Sequence, residues 1–162
     1  MFSEIKKISS LLLSVAFSSI GFIASITVTV LAAREVSSNP LFVGFPNAVG
    51  VGGAVLGTRM IYLISKTNSQ LNALAFTFLI GAFGGAIMFY SLIIDSFLLL
   101  LLGAFILGIG QSATLQTRYA ASFVAGTKFK ATALSLAVWF SVFGSVFGPR
   151  MVGSYSNFFE NI

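Results

Sequence analysis

The chain has 162 residues, of which 57% are hydrophobic and only 8% charged, with 18 Phe, 16 Gly, no Cys and no His. A water-soluble domain of this size needs polar residues on every outward face, and this composition lacks them. The net charge of +5 would suit a nucleic acid, but the basic residues stand apart at breaks between apolar runs, so no nucleic-acid partner is expected.

Five uncharged runs fill the chain: Ile8 to Ala33, Val36 to Thr58, Thr67 to Ile94, Ser96 to Thr117 and Ala131 to Pro149. About 20 helical residues cover the ~30 Å hydrocarbon core of a bilayer. The runs are continuous rather than alternating, which excludes barrel strands. Lipid offers backbone groups no partner, so each run must be helical. The predicted fold is therefore all-α: a polytopic membrane helix bundle with five transmembrane helices, over residues 8–33, 40–64, 71–94, 97–124 and 131–153, in one transmembrane domain covering 1–162. The β-branched segment from Ile26 to Val30 would favour a strand in water, and is expected to be helical in lipid.

The first span follows Lys6 and Lys7, and its apolar run is longer than the core of a cleavable leader, so it reads as a retained span. Asn39 and Pro40 mark a break and the start of the second, Gly-rich span. A polar turn from Ser65 to Gln70 leads into the third span, and Asp95 with Ser96 forms a very tight turn into the fourth. Gly126 to Lys130 separates the fourth from the fifth. Lys6, Lys7, Arg59, Lys66, Lys128 and Lys130 fall on one side if every run crosses, and basic loops mark the cytoplasmic side. The N-terminus is then cytoplasmic and the C-terminus outside.

Small residues four apart allow two helix backbones to approach closely. Gly53 with Gly57, Gly81 with Gly85, and Gly144 with Gly148, Pro149 and Gly153 are candidate packing positions, which could also let helices rock. Two polar stripes run inside the spans. Ser14, Ser18, Gly21, Ser25 and Thr29 share one helical face of the first span, and Gln111, Thr114 and Arg118 share one of the fourth. Ser14, Ser18, Ser25, Thr29, Gln111, Thr114 and Arg118 are candidate cavity-lining residues; Ser and Thr could instead pack and bond to their own helix. Arg118 either snorkels to the inner interface or faces a cavity and attracts an anionic group.

The acids Glu4, Glu35, Asp95 and Glu160 all lie at span ends or in tails, so no titratable relay crosses the membrane. Without His or Cys, and with every Lys at a membrane edge, the chain offers no catalytic nucleophile with a base and no metal-ligand cluster. No enzyme activity, cofactor or metal is expected.

The segment from Gly108 to Ala121, then Leu134-Ser135, Val138-Trp139 and Gly148-Pro149, resembles the N-terminal half of a bacterial major facilitator superfamily transporter. Gly144, Gly148, Pro149 and Gly153 resemble that family's fifth-span motif. The turn from Ser65 to Gln70 keeps one basic residue, Lys66, where the family carries Asp-Arg-x-Gly-Arg-Arg, and Ala104 stands where the family places an Arg. The resemblance implies a multi-pass protein of the bacterial inner membrane in contact with the lipid bilayer. It also implies transport of a small-molecule substrate of the drug- or metabolite-efflux type by alternating access, with the first and fourth helices lining the cavity. Family members have two six-span halves, so a second half-transporter chain or a homodimer is the implied partner. The alternative is a truncated remnant or small membrane scaffold that does not transport; a pore formed by oligomers is a third class.

Overall fold

The computed structural model describes residues 2–37, 40–124, 130–139, 141, 142 and 146. Helix α1 runs from Phe2 to Val36, about 52 Å at 1.5 Å per residue, so it exceeds a bilayer's hydrocarbon thickness. The β-branched stretch Ile26 to Val30 lies wholly within it. There Thr27 donates its hydroxyl to the Ile23 carbonyl at 3.2 Å, a local bond that costs the helix little.

Pro40 does not open the second helix. It begins a 3₁₀ turn, Pro40–Phe42, and α2 runs from Phe45 to Thr67. Pro46 lies in the first turn of α2, where its missing N–H would have had no helical partner. The 3₁₀ turn is held by aromatic edges: the Phe42 ring meets Phe45 at 6.4 Å and Phe97 at 5.9 Å, both edge-on. Two residues then suffice to reverse the chain. Asn68 closes α2 by donating its N–H to the Ile64 carbonyl at 2.8 Å, and Ser69 caps α3 (Gln70–Ile93) by accepting the Asn72 N–H at 3.3 Å. That is the side-chain cap expected of serine at a helix start.

The turn at Asp95 is tighter still. Asp95 adopts φ 53°, the left-handed conformation that commonly ends a helix and that Asp tolerates better than most residues. The Ser96 N–H reaches back to the Ser91 carbonyl at 3.1 Å, which completes the helix-ending pattern. Ser96 also opens α4 (Phe97–Val124): its hydroxyl accepts the Leu99 N–H at 3.4 Å and its carbonyl the Leu100 N–H at 3.0 Å.

The chain divides into two compact units, Val28–Ala113, and Met1–Thr27 with Thr114–Ile162. In the first unit the buried positions of α2 are Pro46, Gly50, Gly53, Gly57 and Ile61, and those of α3 include Ala73, Thr77, Gly81, Gly84, Met88 and Ser91. Each set advances by three or four residues, so each is a single helical face. Both faces meet α4. A methyl group on Gly53 would run into the Phe105 carbonyl, one on Gly84 into the Leu107 backbone, and one on Gly81 would come within 2.7 Å of the Gly110 Cα. Gly108 packs just as closely on Gly50. Half of the most apolar stretch of α4 is buried, against 22–28% for the other spans, in keeping with its packing on both α2 and α3. Gly85, by contrast, would meet only the Leu107 Cδ1 at 3.6 Å. At one end of this unit Ala32, Ala33, Met88 and Leu100 form a small apolar core under Val43 and Phe97.

The distribution of side chains is the reverse of a soluble bundle. The buried face of α3 carries Thr77, Gly81, Gly84 and Ser91 beside Ala73, Leu74 and Met88, while Phe76, Leu79, Phe83 and Tyr90 are exposed, Phe83 by 72%. Such a surface is unfavourable in water and favourable against acyl chains. Four described helices, Phe17–Val36, Phe45–Thr67, Gln70–Ile93 and Phe97–Ala120, are long and apolar enough to cross a bilayer; the chain is a multi-pass, all-helical membrane protein. Residues 130–139 are also helical. Apart from residues 141, 142 and 146, which are helical too, the remainder of the expected fifth span, including Gly144, Gly148, Pro149 and Gly153, lies outside the described residues.

Replacing Gly53 or Gly84 by Ala forces a methyl group onto a neighbouring backbone. Overpacking of this kind costs about 1–3 kcal/mol, so each variant should melt several degrees below the parent in detergent, whereas Gly85→Ala should melt with it. Equal melting temperatures for all three would contradict the described packing.

Candidate functional site

The two polar stripes differ in how the structure treats them. Along α1, Ser14 is exposed, Ser18 and Ser25 are half-buried, and Thr29 is buried. The Ser25 hydroxyl donates to the Phe22 carbonyl at 2.7 Å. That of Thr29 faces the Met88 sulfur at 3.5 Å, so within its unit Thr29 is set against α3 rather than open to water. On α4, Gln111 and Arg118 are half-buried and Thr114 is buried. Ser14, Ser18, Ser25, Thr114 and Arg118 belong to one compact unit, and Thr29 and Gln111 to the other.

Several buried polar residues were not evident from the sequence. Thr77, Ser91 and Ser112 are buried, and each donates its hydroxyl to a carbonyl three or four residues back, at 2.8, 2.7 and 2.7 Å. For Thr77 and Ser91 a signal existed: they continue the glycine face of α3 in steps of three and four. Ser19 is different. It is 2% exposed and its hydroxyl has no hydrogen-bond partner. It stands beside Ser18 but about 100° around the helix, off the stripe that spacing selects. The Arg118 Nε is likewise buried without an acceptor.

An apolar groove of about 540 Å³ is lined by Val49, Ser96, Leu98, Leu99, Leu101, Leu102 and Phe105. It contains none of the seven stripe residues, and only Ser96 could give it a polar side chain. At the basic end of α2, the Lys66 ammonium lies 4.6 Å from the centre of the Tyr62 ring. A cation over an aromatic face one turn back suits an interfacial anchor. Among the described residues no group of three or more His, Cys, Asp or Glu could hold a metal ion.

The burial of Thr29 leads to a direct check. A Thr29→Cys variant should resist a membrane-impermeant maleimide in the folded protein and react after unfolding in dodecyl sulfate. Rapid labelling of the folded protein would contradict the packing of Thr29 on Met88.

No family model and no solved structure gives a significant match to the chain. Two Bacillus subtilis proteins do. The uncharacterized MFS-type transporter YdeG is 32% identical over 146 residues, which cover 90% of this chain and 34% of that protein. The uncharacterized MFS-type transporter YddS is 32% identical over 157 residues, covering 97% and 36%. Both carry the name of transporters rather than enzymes, and the chain spans about a third of the length of these curated relatives. With four spans long and apolar enough to cross a bilayer, three of them packed through glycines, and this similarity along nine-tenths of its sequence, the chain is a partial, major-facilitator-like fragment.

Proposed function

We propose that the chain acts in alternating-access transport of a small solute, as the N-terminal part of a carrier of the drug- or metabolite-efflux type. The observation that carries this reading is the 32% identity to two MFS-type transporters along 90–97% of the chain. The proposed arrangement is one transmembrane domain of five spans in a bacterial inner membrane, with the N-terminus cytoplasmic. The positions of Lys6, Lys7, Arg59, Lys66, Lys128 and Lys130 support that orientation.

Carriers of this type bind solute between two repeats and rock one against the other. The chain supplies one side of such a cavity, and a second set of spans supplies the other. Ser14, Ser18, Ser25, Gln111, Thr114 and Arg118 are the proposed lining residues. Thr29 contributes through its contact with α3. The glycine faces of α2, α3 and α4 give this half the close packing that rigid-body rocking requires, because helices that move as a block must be held by dense backbone contact.

The native sequence has no cysteine, so single-Cys variants at Ser18, Ser25, Gln111 and Arg118 report access directly. Labelling of these positions by an impermeant maleimide from the cytoplasmic side, and blockage by a transported solute, is the expected result. Complete protection of all four would contradict a water-accessible cavity and favour a sealed scaffold.

A further inference from the structure

Arg59 is a charge on the outward side of a membrane span. It lies within Phe45–Thr67 and is exposed. Val55, Leu56, Tyr62 and Leu63 stand three or four residues from it on the same side, and they are exposed by 48–66%. The opposite side of α2, with Gly53, Gly57 and Ile61, is the buried one. The Arg59 guanidinium has no ion-pair or hydrogen-bond partner among the described residues. Lys66, also exposed, follows two turns later on that same outward side, about 10 Å along the axis. Its ammonium is held 4.6 Å from the centre of the Tyr62 ring, over a residue one turn nearer to Arg59. Two long cationic side chains thus flank one aromatic ring at a separation that a single phosphate can bridge.

No carboxylate answers these charges. The sequence has none between Glu35 and Asp95. Asp95 follows the far end of α3, a helix of 24 residues and so about 36 Å long. Glu35 belongs to that same far end, because Ala33, two residues before it, shares a core with Leu100 near the start of α4. Escape to water is also awkward for Arg59. Helical Cα–Cβ bonds tilt toward the N-terminus, so its stem sets out toward the bilayer interior and away from the Lys66 end. A cation there is relieved when the bilayer thins locally around it, which brings headgroup phosphates within reach. A guanidinium pairs with two phosphate oxygens at once, and an ammonium adds a point charge. A choline or ethanolamine headgroup would carry a third cation to a place with no carboxylate to receive it.

We propose that the outward side of α2 binds an anionic phospholipid. Arg59 and Lys66 hold its headgroup phosphate, Tyr62 lies between them at headgroup level, and the acyl chains run along Val55 and Leu56. This surface faces the membrane, and it stands whether or not the chain transports a solute.

The test is native mass spectrometry of the full chain released from micelles, titrated with phosphatidylglycerol or with phosphatidylcholine of identical acyl chains. The parent chain should retain phosphatidylglycerol at severalfold lower concentration. Arg59→Gln/Lys66→Gln should weaken that binding roughly tenfold or more and abolish the preference, while Arg59→Lys should keep part of it. The three side chains are exposed, so these substitutions leave the glycine packing untouched. Arg34→Gln/Lys130→Gln removes the same net charge elsewhere and should keep the parent preference. Equal retention of the two lipids by the parent chain, an unchanged preference in Arg59→Gln/Lys66→Gln, or an equal loss in the charge-matched control would each overturn the site.

Discussion

The close approach of the α4 backbone to those of α2 and α3 is the contact on which the rest of the described bundle depends. Lipid gives no hydrophobic drive for helix association, because acyl chains are as apolar as leucine. What remains is dispersion between well-packed atoms and a few polar contacts. Glycine faces bring whole backbones into range, and here α4 receives two of them, through Gly50 and Gly53 of α2 and through Gly81 and Gly84 of α3. The short connections at Asn68-Ser69 and at Asp95 follow from the same requirement. Helices this close can be joined by two or three residues, and each of these turns satisfies its exposed backbone groups with its own serine.

This packing also dictates where polar groups can be placed. Where the helices approach most closely the interior is made of small side chains, and Thr77, Ser91 and Ser112 are buried at little cost because each bonds to its own helix. Large apolar residues, Phe76, Leu79 and Phe83 among them, are displaced to the lipid-facing surface. Against that background an unmet hydroxyl at Ser19 and an unmet Nε at Arg118 stand out, since the architecture otherwise accommodates polar atoms by simple local bonds. A major-facilitator-like chain with an arginine in its fourth helix, and among the described spans a carboxylate only at Glu35 near the end of α1, carries a charge that packing alone does not explain.

Much of the fold could be read from the residues. Uninterrupted apolar runs locate the helices, and lipid overrides the strand preference of Ile26 to Val30. The small-residue faces are visible as spacings of three and four, although the pair chosen on α3 by spacing alone, Gly81 with Gly85, differs from the pair that makes the closest approach, Gly81 with Gly84. Both spacings are helical, and only the crossing of α3 on α4 selects between them. The sequence points to Pro40 as the start of α2, whereas the helix begins at Phe45, because two prolines lie six residues apart. Either could begin a helix, and the aromatic contacts of Phe42 hold the first in a 3₁₀ turn. The candidate site was less legible. Ser14 to Thr29 is one stripe by period, yet its members grade from exposed to buried along α1, and a period carries no information about which neighbour covers which level. Ser19 fell off the stripe, and whether a hydroxyl uses its own helix is a property of rotamer and packing that spacing does not encode.

The most direct measurement is the distance between α3 and α4 in the membrane. A Gly85→Cys/Leu107→Cys double variant places two thiols where the Leu107 side chain now lies in van der Waals contact with the Gly85 position, in a chain with no other cysteine. Mild oxidation of native membranes should form an intramolecular disulfide and remove both thiols from maleimide labelling in dodecyl sulfate, while either single variant keeps its thiol. Persistence of two free thiols in a correctly inserted double variant would contradict the glycine-mediated contact of α3 with α4, and with it the account of how this bundle holds together.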